Sequence, residues 1–287
     1  MKILAFGGHG QLGTDLAASA RGRHTLRRPA RSDVDVTDAD AVARVVARER
    51  PEAVVNAAAF HKTDLCEQQP DRALSVNVLG AINVARAARA AGARCLYVST
   101  DYVFSGERMG GYVEEDPVAP VNLYGVSKAA GERAVANVCP DSLVVRTSGL
   151  FGHAGSSGKG GNFVELMVSK AAAGEALTVV DDQVLSPTST HDLAERILAL
   201  LELDAPPGVY HATNSGSCSW HGFARRILEV AGLDAGLSPC RSNHSVVRRP
   251  ACSVLLETRA RALGLPAMRP WSEALEWYLA HPSRRAA

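Results

Sequence analysis

An apolar run, KILAF at residues 2–6, leads straight into the octapeptide FGGHGQLG, on whose last residues a helical pattern, QLGTDLAASARG, begins. Gly7, Gly10 and Gly13 recur at every third position across this junction. Few architectures need glycine at that spacing between a strand and a helix. The chain must turn sharply, the helix must pack on the strand without a Cβ between them, and the helix N–H groups then face an anion approaching the turn. A glycine triplet alone is often only a tight turn, and its place between strand and helix is what makes this one informative. Gly7, Gly10 and Gly13 are therefore candidate ligands of a dinucleotide diphosphate.

The rest of the first half keeps the same alternation. Nearly continuous apolar runs, AVVNAA (53–58), CLYVST (95–100) and LVVRTS (143–148), with a weaker one at HTLRR (24–28), alternate with longer segments of helical spacing. Unbroken apolar runs of this length suit strands buried on both faces of a parallel sheet. The pattern predicts an α/β fold, a Rossmann-type doubly wound parallel sheet. In TDADAVARVVA, Thr37 or Asp38 is placed to cap a helix. Beyond residue 150 the strands shorten and helical patterns dominate. The expected organisation is a dinucleotide-binding domain over 1–150 and a smaller substrate-binding lobe over 151–287, partly interleaved with the first.

Composition narrows the function classes. A formal net charge of +1 gives no field that would gather nucleic acid or an anionic membrane. No stretch approaches the ~18 uninterrupted apolar residues of a membrane span, and the apolar run at the N-terminus is short for a secretory signal. The cysteines (66, 95, 139, 218, 240, 252) show no Cys-x-x-Cys spacing, which points to reduced thiols in a cytoplasmic protein and to no zinc site.

At the end of the second strand, TLRRPAR offers Arg27, Arg28 and Arg31 and no acid before Asp33. An acid there would bind a ribose 2′-hydroxyl, whereas arginines accept a 2′-phosphate, so NADPH is the expected cofactor, with NADH possible. Asp35 and Val36 are expected near the adenine. The small side chains of Ala57, Ala58 and Ala59, closing the third strand, would let the dinucleotide pass. STDYVF sets Ser99, Thr100 and Asp101 at the end of the fourth strand, and LYGVSKAAGE sets Tyr124 four residues before Lys128. On a helix those two share a face. A phenol is a poor proton carrier near neutral pH, and an adjacent ammonium favours its ionised form. Tyr124, Lys128 and Thr100, the last bonding the reacting oxygen, form the candidate catalytic set.

GGHGQLG, VVNAAAF, STDYVFSG, PVNLYGVSKAAGE, VVRTSGLFG and DDQVLSPTS together resemble the extended short-chain dehydrogenases/reductases, in the branch that reduces nucleotide-linked keto sugars. The resemblance implies transfer of a hydride to C4 of a nucleoside-diphosphate 4-keto-6-deoxy sugar, dTDP-4-dehydrorhamnose foremost. It implies that Gly10, Gln11 and Leu12 cradle the cofactor diphosphate, that Tyr124 donates the proton, that Lys128 orients the ribose, and that Asp101 contacts the sugar. Arg249, in VVRRPA, is placed to meet the substrate diphosphate. The branch often has a tryptophan after RTS, where this chain has Gly149, and the Gly/Ser loop at 151–162, with Lys159, is a candidate lid. Some relatives bind magnesium near PTS through paired glutamates. This chain has His191 and Asp192 there, so no metal is assigned. A homodimer is compatible with the resemblance. An epimerase of the same fold and a non-catalytic NADP-binding regulatory subunit are the competing readings. A dehydratase would carry Asp-Glu where this chain has Asp101-Tyr102.

Overall fold

The computed structural model describes residues 1–154, 161–243 and 247–281. In the first half, strands β1 (Lys2–Phe6), β2 (Thr25–Arg27), β3 (Ala53–Asn56), β4 (Arg94–Thr100) and β5 (Leu143–Thr147) alternate with helices. These are α1 (Gln11–Ala20), α2 (Ala39–Glu49), α3 (Thr63–Gln68), α4 (Pro70–Leu74), α5 (Gly80–Ala90) and α6 (Leu123–Val138). The second half contributes β6 (Leu150–Phe151), α7 (Phe163–Ala172), β7 (Leu177–Val180), β8 (Val184–Leu185), β9 (Thr188–Ser189) and α8 (Thr190–Glu202). After these come β10 (Gly208–His211), β11 (Cys218–Ser219), α9 (Trp220–Ala231), β12 (Leu237–Cys240), α10 (Arg259–Ala262) and α11 (Trp271–Ala280).

Six strands form one sheet in the order β10-β5-β4-β3-β1-β2, every pair parallel. The strands are apolar on both faces because both are covered. Ile3 and Ala5 join Leu12 and Leu16 of α1 and Leu193 and Ile197 of α8 in one core. Leu4 and Phe6, pointing the other way, join Val42 of α2, Val84 of α5 and Val135 of α6. Each fully buried Leu, Ile or Val is worth about 1.5–3 kcal/mol relative to exposure, so these two layers hold the sheet. β1 lies between β2 and β3, and chain order departs in opposite directions on its two sides. That is a topological switch point, where such sheets leave a crevice beyond the strand ends.

α8 and β10 belong to these layers although they follow residue 150. A separate core of Phe151, Val164, Met167, Leu177, Phe223, Ile227 and Leu275 gathers α7, α9, α11 and β7 beside the sheet. Asp38 is the residue that caps α2, its Oδ1 accepting from Ala41 N at 2.9 Å. The segment from residue 70 to 90, which reads as one helix, is interrupted by a π-helical turn at Ser75–Leu79. The Tyr97 hydroxyl donates to the Asn77 carbonyl within that turn at 3.0 Å. A Cβ on Gly131 would sit 2.4 Å from the same carbonyl, so α6 can approach the turn only through glycine.

Candidate active site

The glycine turn is built by contacts that exclude side chains. Gly7 has φ +73°, and a Cβ there would lie 2.6 Å from the backbone of Ala57 and Ala58, across the switch point. A Cβ on Gly13 would lie 2.3 Å from the Gly8 Cα, so α1 rests directly on the turn. Gly10 is different. Its nearest neighbour would be the Gly7 carbonyl at an acceptable 3.4 Å, and its φ of −80° is ordinary. No protein contact demands glycine at this position, whereas a ligand approaching the helix end would.

Gly10 is the N-cap of α1 and offers no side-chain cap, and the first turn contains no acid. The helix end therefore presents bare N–H groups and uncompensated positive polarity. The buried Gln11 Oε1 has no hydrogen-bond partner. Leu12 turns its side chain into the core, so only its backbone faces the crevice. These features fit a dinucleotide diphosphate. The two arginines expected beside it part company. Arg28 reaches the turn, its Nη1 donating to the Gly8 carbonyl at 3.1 Å. Arg27, next along an extended strand, points away, is largely exposed, and has its Nε 4.0 Å from Glu49. Asp35 accepts from the backbone and hydroxyl of Thr37, which hold its carboxyl below the usual range. Val36 is buried against Gly80. Ala57, Ala58 and Ala59 are half-buried at the end of β3.

The catalytic candidates meet at the carboxyl end of β4. Asn122 caps α6, accepting from Gly125 N at 2.9 Å. Gly125 must lack a Cβ, which would come within 2.1 Å of the Tyr102 carbonyl. This packing aims Tyr124 at Thr100, its hydrogen-bonding partner. The Thr100 hydroxyl donates to Asp101 Oδ1 at 2.9 Å. Asp101 is buried, and Ser148 donates to its Oδ2 at 2.7 Å with Ser253 as a further partner. Burial raises the Asp101 carboxyl despite these hydrogen bonds. Its oxygens are thus engaged by hydroxyls of the protein, which locks the Thr100 rotamer.

Lys128 departs from the expected arrangement. Its Nζ donates to the Val98 carbonyl at 2.7 Å and lies 3.8 Å from the centroid of the Tyr97 ring. It is only 1% exposed, and burial pulls its ammonium down to about 7. The Tyr124 phenol is pushed up, above its ordinary value, by its own burial. Desolvation is the largest cause acting on the phenol, and Lys128 is not among the leading groups that shift it.

Arg249, the candidate for the substrate diphosphate, lies close to the neighbours of Tyr124. Its Nη2 pairs with Asp64 Oδ1 at 3.0 Å, and it hydrogen-bonds Tyr102, whose ring packs edge-on to Tyr124 at 5.9 Å. Gly149 has φ +53°, and a Cβ there would lie 2.6 Å from Leu185 Cδ1. Lys159 and the rest of residues 155–160 in the 151–162 loop fall outside the described residues. Asp192 is paired with Arg269 at 2.7 Å and accepts from Asn214. Sequence reasoning missed Tyr102, Ser148 and Ser253, which act only through tertiary contact. It also passed over Glu132, although its place one turn beyond Lys128 was legible.

The chain matches the family model described as RmlD substrate binding domain over residues 1–283. A dTDP-4-dehydrorhamnose reductase of Streptomyces griseus is 40% identical over 281 residues, covering 95% of this chain and 91% of that protein. A dTDP-4-keto-6-deoxy-D-glucose reductase of Streptomyces niveus is 39% identical over 280 residues, covering 95% and 94%. The crystal structure of dTDP-4-dehydrorhamnose reductase from Bacillus anthracis in complex with NADP superposes with a TM-score of 0.92 at 35% identity, covering 97% and 98%.

Proposed function

The chain belongs to the RmlD substrate binding domain family, and from that membership we propose that it is an NADPH-dependent reductase converting dTDP-4-dehydrorhamnose to dTDP-L-rhamnose. The observation that carries the reading is the convergence of Thr100 and Tyr124 at the carboxyl end of β4, on the same edge of the parallel sheet as the bare N-terminus of α1.

Gly10, the N–H groups of Gln11 and Leu12, and Arg28 hold the cofactor, Arg28 meeting the 2′-phosphate. NADPH, when bound, supplies the hydride for C4 of the sugar. Tyr124 donates the proton to the C4 oxygen. Thr100, its Oγ placed by the contact with Asp101, turns its hydroxyl from that carboxylate to donate to the same oxygen. Lys128, now on the Val98 carbonyl, would hold the ribose hydroxyls of the bound cofactor. Asp101, Arg249 and the lobe over 151–287 form the sugar side, with Arg249 exchanging Asp64 for the substrate diphosphate. All six cysteines are free, and among the described residues no helix is long and apolar enough to cross a membrane. Both support a cytoplasmic setting.

The test is NADPH oxidation by the purified protein against a panel of nucleotide-linked 4-keto-6-deoxy sugars. Stoichiometric consumption with dTDP-4-dehydrorhamnose is expected. Absence of turnover across the panel would remove the reading, and preference for a dTDP-4-keto-6-deoxyglucose would reassign the sugar.

A further inference from the structure

Lys128 sits in the interior with no water-facing side, so something within the protein must keep it charged. Tyr124, Lys128 and Glu132 follow one another at four-residue intervals along α6, which stacks them on one face. Glu132 is itself buried. Its Oε1 accepts from Ser99 at 2.5 Å and from Arg146 Nε at 2.9 Å, and its Oε2 accepts from Arg146 Nη2 at 2.7 Å. Arg146 in turn lies over the Phe104 ring. A buried carboxylate with a bidentate arginine could be only a strut between α6 and β5. Two features say otherwise. Ser99, which donates to Glu132, is the neighbour of Val98, whose carbonyl receives Lys128. And Tyr97, the ring beneath the ammonium, feels the charge of Glu132.

We propose that Glu132 is a positioning residue for the reduction, holding Lys128 in its charged form through the carboxylate that Arg146 and Ser99 keep fixed one helical turn away. The proposal rests on the reductase reading above. The groups facing the ammonium are Tyr97 from β4 and Tyr124 and Glu132 from its own helix, with Arg146 of β5 behind Glu132; Asp101 and Cys66 act on Tyr124. Among them Glu132 is the group whose charge opposes the desolvation of Lys128. Tyr97 supplies a ring face and Val98 a carbonyl, neither of which carries a full charge.

The experiment reads Lys128 directly. The chain has only five lysines, so ε-13C-lysine NMR of the cofactor-free protein resolves it, with Lys128→Met giving the assignment. In the wild type Lys128 titrates near 7. In Glu132→Gln its midpoint falls by about one to three units, the usual effect of a close opposite charge, and the alkaline limb of the kcat profile moves acid-ward with it. Glu132→Asp, which keeps the charge, restores both. An unchanged Lys128 midpoint in folded Glu132→Gln overturns the proposal. Since Glu132→Gln strands a buried arginine, Glu132→Gln/Arg146→Met serves if the single variant does not fold; a smaller fall is expected, because the Arg146 charge is lost with the carboxylate, and the same constancy refutes. Absence of NADPH turnover by the wild type would sink the reductase reading alone, leaving the lysine titration to judge Glu132.

Discussion

Adding one methyl group at Gly10 or at Gly13 should separate cofactor binding from folding. At Gly13 the new Cβ would stand 2.3 Å from the Gly8 Cα and 2.4 Å from its carbonyl carbon and oxygen. Every atom it meets is backbone, so no rotamer change relieves the clash, and the turn must open by about 1 Å to restore ordinary contact. Overpacking of this kind costs about 1–3 kcal/mol, offset by up to about 1 kcal/mol of helix propensity gained over glycine. A net loss of about 1–2 kcal/mol corresponds to a Tm roughly 2–8 °C lower for a chain of this size. At Gly10 the methyl meets only the Gly7 carbonyl at 3.4 Å, so Gly10→Ala should stay within about 1 kcal/mol of the wild type, a weak-cap penalty at most. Its methyl nevertheless projects over the α1 N-terminus, where the diphosphate must come close, and the NADPH Kd should rise at least tenfold. Thermal melts with and without NADPH, paired with fluorescence titration, read both quantities. If Gly10→Ala binds NADPH like the wild type, the anion does not lie over that residue. If Gly13→Ala melts with the wild type, the reasoning from backbone contact fails.

Three further outcomes can be checked with the same preparations. Tyr124→Phe should fold and bind NADPH while single-turnover reduction slows by about 10²–10⁴, the typical worth of a positioned acid; a wild-type rate would assign the proton elsewhere. Arg28→Ala should lose about 1.5–3 kcal/mol of NADPH affinity with little effect on NADH, while Arg27→Ala changes neither; titrations at low salt would expose an equal loss in both variants, which would contradict the geometry. Gly149→Trp, which installs the aromatic residue common in the branch, should lower Tm rather than improve turnover, because φ +53° and Leu185 at 2.6 Å leave no room for a side chain; a more stable and faster enzyme would refute this.

The sheet and most of its helices were legible because each rests on a local pattern: apolar runs for strands, helical spacing between them, and Asp38 before α2. Tyr124, Lys128 and Thr100 were legible as a set because strand end and helix face are local properties too. What the sequence hid is tertiary. Nothing in TLRRPAR tells Arg28, on the glycine turn, from Arg27, beside Glu49. Only an extended backbone, which sends neighbouring side chains to opposite sides, decides it. The π-helical turn at Ser75–Leu79 has no signature in SVNVL, and depends on Tyr97 and Gly131 reaching it from elsewhere.

Lys128 shows why the same limit touches the chemistry. Spacing places the lysine under the tyrosine, and from spacing alone the ammonium should depress the phenol. Burial acts on both groups, however, and in opposite directions: it raises the neutral acid and lowers the cation. Before the cofactor arrives, burial thus holds both members of the pair toward their neutral forms. Binding of ribose hydroxyls would give the ammonium partners in place of the single Val98 carbonyl and favour its charged form, which lowers the phenol as hydride transfer builds charge on the ketone oxygen. Desolvation, invisible in the spacing, is what sets the resting state of the Tyr-x-x-x-Lys pair.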